Sequence, residues 1–367
     1  MPVSAQRTVS QKTELVIPPL QIAEDASKGE PAGDWKAPDD PLDYAETKTK
    51  AVKAEEAGKA AEALTLWERI IDRTSCSEQH RIEARKHIHD LRPKVQYNTD
   101  PAKANQWKVL VFVLREIKFD RKKTVKEKDA EGKETDKEIT ETAHKMLTDG
   151  DMEKIGLQLA GWRDMVFNWS GGQCLLNFDV MVMTDVYGKD HGRDFAFPRH
   201  AAVPYYNAAR EKFNKEKYQT LIAYAPCDGE GPGVSQPWVA ACYGHCGEFA
   251  EAGYIMVPWK SKYPFANEAK GEMELHEWLH QIDDDTRRFC GYPRAVAQDP
   301  DGGRMEGDNR DGGDNDYRRP GNVRNWTLFY KHILSEHLTR QIWSEMNTEK
   351  ANLNSDKRPG LVSKITE

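Results

Sequence analysis

The sequence predicts an α+β protein, a mixed twisted sheet with a backing helix, preceded by a smaller helical segment. Three observations carry this expectation. Residues 107–114 (WKVLVFVL) are rich in β-branched and aromatic side chains, the composition of a buried strand. Apolar residues recur every three or four positions through 44–91 and again through 326–346, the period of helices with one buried face. Between these stretches, strand-like and helix-like runs alternate.

Taken in order, residues 1–42 are rich in Pro, Gly, Lys, Asp and Glu and are expected to form a flexible arm. A helical segment follows over 43–95, where Ala54, Ala57, Ala61, Leu64, Trp67 and Ile71 share a face and Gly58 interrupts the run. Residues 54–71 resemble a single tetratricopeptide-type helical hairpin. One hairpin cannot bury both its faces alone, so a cap packed on the next unit is preferred over a peptide-binding module. The main unit is expected over 96–350, with a polar tail over 351–367. Within it, 119–142 mixes charges without periodicity and reads as a solvated insertion. Residues 143–167 read as a long helix with Met146, Ile155, Leu157, Leu159 and Trp162 available to the core. Strands are expected at 174–184, 221–225 and 253–258, with a helix around 206–215. Residues 326–346 close the unit as one strong helix.

His276-Glu277-Trp278-Leu279-His280 is the segment that points most directly to a chemistry. Histidines four apart on a helix project from one face, so both can bind one zinc ion. The glutamate between them is placed to act as a general base on zinc-bound water. Leu275, Leu279 and Ile282, with Trp278, supply the helix's apolar stripe, and the histidines flank it. Pro264 and Asn267 are start signals upstream, and Gly271 within the pattern weakens the helix or permits close packing.

Strand, long helix, strands and an H-E-x-x-H helix, in that order over about residues 105–346, resemble the zincin metallopeptidases. The resemblance implies a zinc-dependent hydrolysis of peptide bonds, with His276 and His280 as ligands and Glu277 as the base. It also implies an edge strand that pairs with an extended peptide, a part that 253–258 would fill. The metzincin continuation H-x-x-G-x-x-H is absent, since Asp283 and Thr286 stand at its glycine and third-ligand positions. The third ligand is therefore sought elsewhere. His332 on the closing helix is favoured, with Glu336 and His337 beside it. Glu306, Asp308, Asp314 and Asp316 in the irregular stretch, and Asp283 or Asp285 after the motif, are alternatives. Asp283 could instead orient a histidine from outside the coordination sphere. Tyr317 is a candidate oxyanion donor by the same resemblance.

Residues 284–323 form a long irregular stretch in which Asp299, Asp301, Glu306, Asp308, Asp311, Asp314 and Asp316 lie among glycines. Calcium is a candidate there, although a solvated acidic loop is the preferred reading. Cys227, Cys242, His245 and Cys246 could make a second zinc site, but thiols or a disulfide are favoured by their spacing. Residues 228–233 (DGEGPG) lack the Gly-Lys-Ser/Thr ending of a phosphate loop and read as a turn.

A formal net charge of −7 opposes a nucleic-acid partner, and no apolar run spans a membrane. Residues 1–24 lack the apolar core of a signal peptide, which suggests a cytoplasmic protein or one secreted after loss of a leader. A peptide or protein substrate is the expected partner. The alternatives are a zincin-like domain that binds without cleaving and a hydrolase of a non-peptide amide. The sequence does not fix the oligomeric state.

Overall fold

The computed structural model describes residues 14–32, 43–72, 75–183 apart from 129 and 131, 186, 218–226, 241–243, 253–259, 270–288 and 323–347. Helices and strands are mixed, as the sequence predicts. Three helices come first: α1 (Tyr44–Glu56), α2 (Ala60–Asp72) and α3 (Glu78–Leu91). Asp43 caps α1 by accepting the Glu46 N–H, and Ser77 forms a capping box with His80 at α3. Gly58, at φ 71°, turns the chain from α1 into α2. The apolar stripe of α2 (Leu64, Trp67, Ile70, Ile71) is fully covered and belongs to the same buried cluster as the sheet. The segment is thus three helices rather than one hairpin, and it caps the unit that follows.

The sheet is built from β3 (Asn105–Leu114), β6 (Cys174–Met183), β7 (Thr220–Pro226), β8 (Ala241–Tyr243) and β9 (Gly253–Trp259). Their order is β6–β3–β7–β9–β8. The first four run parallel and β8 is antiparallel to β9. Strands covered on both faces need no polar alternation. Accordingly Val109 to Leu114 are all buried, as is every residue of β7. Strand β9 was expected at an edge but lies inside the sheet, because β8 pairs along its outer side.

Two expectations are corrected in the segment after β3. The charged run over 119–142 belongs to a long antiparallel ribbon, β4 (Glu116–Lys128) with β5 (Glu134–Met146). Its charges meet across the strands, as in Lys122–Glu138 at 2.6 Å and Lys137–Glu127 at 2.8 Å. Such exposed pairs contribute little each, but they fit the register. Among its described residues, the base of the ribbon, at Ile117 and Phe119, enters the core. The helix expected from residue 143 starts later, as α4 (Asp149–Trp169). Thr148 and Asp151 form its capping box, which fixes the start and leaves 143–146 to β5.

The expected flexible arm is docked over residues 14–32. Leu15 and Ile17 pack on the core, and Ala23 N–H donates to Asn168 Oδ1 at 2.8 Å. A short β1 (Glu30–Pro31) then pairs with β2 (Val95–Gln96).

Helix α5 (Glu272–Arg288) carries the H-E-x-x-H motif. It is followed, after residues outside the description, by α6 (Val323–His332), a π-helical turn (Ile333–His337) and α7 (Arg340–Asn347). The single closing helix expected over 326–346 is therefore divided. Leu338 N–H bonds the Ile333 carbonyl at 3.2 Å, closing the wide turn, and Leu338 itself is extended. Buried Glu68 on α2 holds the far side, accepting from Arg92 Nη2 at 2.9 Å and Arg340 Nε at 2.8 Å. Among the described residues, no helix is long and apolar enough to cross a membrane.

Where α4 meets the start of α5, the backbones touch. Gly271 adopts φ 92°, and a Cβ there would stand 2.3 Å from Trp162 N and 2.4 Å from Gln158 O. Gly271 therefore precedes the helix and permits close packing. Replacement by alanine combines a left-handed φ with a backbone clash. Gly271→Ala is expected to destabilise the fold by at least about 2 kcal/mol, read as a lowered midpoint in urea; an unchanged midpoint would show that this contact is not formed.

Candidate metal centre

The rotation of α5 about its axis is set by its buried side chains. Leu275, Trp278, Leu279 and Ile282 are at most 1% exposed. Trp278 meets Trp107 of β3 edge-on at 5.4 Å, Trp162 of α4 at 6.1 Å, and stacks on Trp343 of α7 at 6.1 Å. A polar chain ties the same helix to the sheet. Trp107 Nε1 donates to Thr220 Oγ1 at 2.9 Å, which in turn bonds Gln281 Oε1 at 2.7 Å. Gln281 Nε2 reaches the Gln219 carbonyl at 2.8 Å.

With the helix so fixed, His276 and His280 lie half-buried at the edge of the apolar stripe. Their ring centroids are 5.0 Å apart with the planes at 88°. Two imidazoles held at about 2.0–2.1 Å on one tetrahedral ion place their centroids about 5 Å apart, so this spacing suits a shared metal. His276 Nδ1 lies 2.6 Å from the hydroxyl of Tyr330, a buried residue of α6. A ligating histidine normally engages its second nitrogen in this way, and the contact leaves Nε2 of His276 as the nitrogen that could face an ion. Two imidazoles are donors that suit zinc.

Glu277 is 6% exposed. One turn earlier, Glu274 is fully buried and accepts from Tyr224 Oη at 2.9 Å. Burial pushes the Glu274 carboxyl up to about 7; the Tyr224 hydrogen bond opposes the rise and the Glu277 charge adds to it.

His332, the favoured third ligand, does not join the motif histidines. Its Nδ1 lies 2.7 Å from Glu336 Oε1, and the Nδ1 of His89 on α3 lies 2.7 Å from the same oxygen. Among the described residues, this is the set of three metal-ligating groups whose ligand atoms come within 4.8 Å of one another. The reason is helical geometry. Tyr330 and His332 are two residues apart, hence about 200° around α6, so only one can face α5. Tyr330 takes that face. Glu336, on the π-helical turn that follows, faces His89 with His332, and His337 is buried on the same turn.

Asp285 accepts from Gln281 Nε2 at 3.3 Å, and Thr286 bonds the Ile282 carbonyl within the core. Asp283 is buried on the same helix. Glu306, Asp308, Asp314, Asp316 and Tyr317 lie outside the described residues, as do the helix expected around 206–215 and the turn over 228–233. So do Cys227, His245, Cys246 and the side chain of Cys242, the suggested second zinc site, and most of the acidic stretch considered for calcium.

Sequence reasoning missed Tyr330 and His89. A tyrosine 54 residues after its partner leaves no local signal; His89 in His87-Ile88-His89 offered only two alternating histidines. Comparison of the chain with protein-family models, curated proteins and solved structures finds no match.

Two outcomes are expected here. Tyr330→Phe should weaken zinc binding at the motif by roughly tenfold to a hundredfold, measured by competition with a chelating dye. Unchanged affinity would remove Tyr330 from the site. For Glu274, a folded-state pKa above the ordinary 4.5 means that the native state holds the extra proton. Its stability contribution is then present below about 4.5 and lost as pH rises through about 7, by up to about 3 kcal/mol. In chelator-treated protein, Glu274→Gln should flatten the pH dependence of stability between pH 5 and pH 8; parallel profiles for parent and variant would contradict the assignment.

Proposed function

We propose that the chain is a zinc-dependent metallopeptidase whose ion is held by His276 and His280 and whose general base is Glu277. The observation that carries this reading is the pair of imidazoles at 5.0 Å, with His276 oriented by Tyr330 through its other nitrogen. When bound there, zinc supplies a Lewis acid for the scissile carbonyl and lowers the pKa of water to about 7. Glu277 takes the proton of the attacking water and returns it to the leaving amine. Its low exposure strengthens its interaction with charge that develops beside it.

Under this reading the third ligand comes from outside the His332 turn, and Asp283, Asp285, Glu306, Asp308, Asp314 and Asp316 are its candidates. Tyr317 keeps its suggested role as oxyanion donor. Substrate would be a peptide lying along β8, the terminal strand on the side of the sheet where α5 packs. A strand end of this kind offers backbone donors and acceptors to an extended chain.

The decisive variant is Glu277→Gln. It should retain zinc, by metal analysis, while hydrolysis of a mixed peptide library falls by at least about a hundredfold. Cleavage at the parental rate would eliminate the mechanism. A parent that binds zinc and cleaves no peptide would favour a binding domain or a hydrolase of another amide.

A further inference from the structure

A second group of metal-binding side chains lies away from the motif, where α3 meets the π-helical turn. We propose that His89, His332 and Glu336 form a binding site for a divalent transition metal, zinc being the best fit. This inference rests on residues that the peptidase reading does not use.

The geometry is convergent. Glu336 Oε1 faces the Nδ1 atoms of both histidines at 2.7 Å, and the two rings have centroids 5.4 Å apart. That is close to the spacing of about 5 Å derived above for two imidazoles on one tetrahedral ion. Small inward or outward shifts of three ligand atoms already within 4.8 Å of one another would seat an ion between them. Two imidazoles and a carboxylate are a borderline N/O set that selects zinc and its neighbours over calcium or magnesium. In the metal-free chain, the carboxylate oxygen accepts from the Nδ1–H of each ring. On binding, each neutral ring moves its proton to Nε2 and turns its Nδ1 lone pair to the ion, so no proton need leave either ring.

The site is also built to hold its shape. Glu336 is 3% exposed and His332 6% in their side chains; His332 ends α6 and Glu336 stands on the π-helical turn that follows. The widened turn presents the Ser335 carbonyl to Arg92 Nε at 2.8 Å, and Arg92 is itself anchored on Glu68. Single π-turns in helices often mark functional positions. His89, at the end of α3, is 38% exposed in its side chain and gives access from solvent. All three residues line a cavity of about 360 Å³, which leaves room for water or a small ligand in the remaining coordination position. Three protein ligands beside an accessible space is the arrangement of an open metal site rather than a closed structural one.

The test uses the full chain, stripped with chelator and titrated with Zn²⁺ against a competing dye, with bound metal counted by mass spectrometry. His89→Gln, the change at the most exposed ligand, should remove one equivalent relative to the parent or weaken it by at least a hundredfold. His332→Ala should do the same. The double change His276→Ala/His280→Ala should remove a different equivalent and leave this one intact. Visible absorption of the Co²⁺ form should change in His89→Gln, a readout that misplaced packing alone would not give. If His332→Ala does not fold, His89→Gln decides the matter alone. Parent-like stoichiometry and affinity in His89→Gln overturn the proposal. If the only equivalent lost is that of the double variant, this proposal fails and the peptidase reading stands. If the only equivalent lost is that of His89→Gln, the reverse holds.

Discussion

The seating of Trp278 is the constraint from which the rest of the structure follows. Its ring is enclosed by Trp107 from the sheet, Trp162 from α4 and Trp343 from α7, so three elements distant in sequence converge on the middle of one motif. The contact is almost wholly one of shape. The indole N–H groups of Trp162, Trp278 and Trp343 have no hydrogen-bond partner among the described residues, whereas Trp107 and Trp259 do. Leaving a buried donor unpaired costs about 1–3 kcal/mol. Dispersion and apolar burial must therefore outweigh that cost at each position. Because the indoles are large and rigid, rotating α5 by even a fraction of a residue would break all three contacts. The positions of His276, Glu277 and His280 around the helix are consequently set by the residue between them that does no chemistry.

The same argument separates what was legible in the sequence from what was not. The buried strands and the motif helix were legible because their signal is local: short apolar runs in β3 and β7, and a stripe from Leu275 to Ile282. The β4–β5 ribbon was not, because both of its faces are polar and its order comes from cross-strand pairing, which no single stretch displays. The docking of residues 14–32 was hidden for a related reason. Its composition is that of a disordered arm, yet the closest contact lies at a glycine of α4, where a Cβ at Gly156 would meet the Val16 carbonyl at 2.1 Å. The break in the closing helix left no mark either, since its apolar period continues through Ile333, Leu334 and Leu338 while the backbone changes pitch.

The candidate site divides along the same line. The two histidines and the glutamate are sequence neighbours, and their spacing alone states their relation. The residue that orients one of them is 54 positions away and the ligand set that claims His332 is assembled from α3, 243 positions earlier. The distance between His332 and the motif could be judged only once the rotation of α6 was known. His332, expected beside the motif, therefore lies instead beside Glu336 and His89.

Helix α6 and the turn after it set two polar side chains on opposite sides of one short stretch. Tyr330 and His332 point about 200° apart, one toward α5 and the other toward α3. The π-turn then resets the helical phase, so that Glu336 returns to the side of His332 while Leu338 and Trp343 continue into the core. In an uninterrupted α-helix, residues four apart are offset by about 40°, and the extra residue of a π-turn changes that offset. The turn is held open on its outer side by Arg92, whose other contact is Glu68, and Glu68 in turn grips Arg340 at the start of α7. This chain of contacts runs from the His89–His332–Glu336 cluster to the start of the helix that carries Trp343, so the two groups are joined through Arg92, Glu68 and Arg340 although they share no residue.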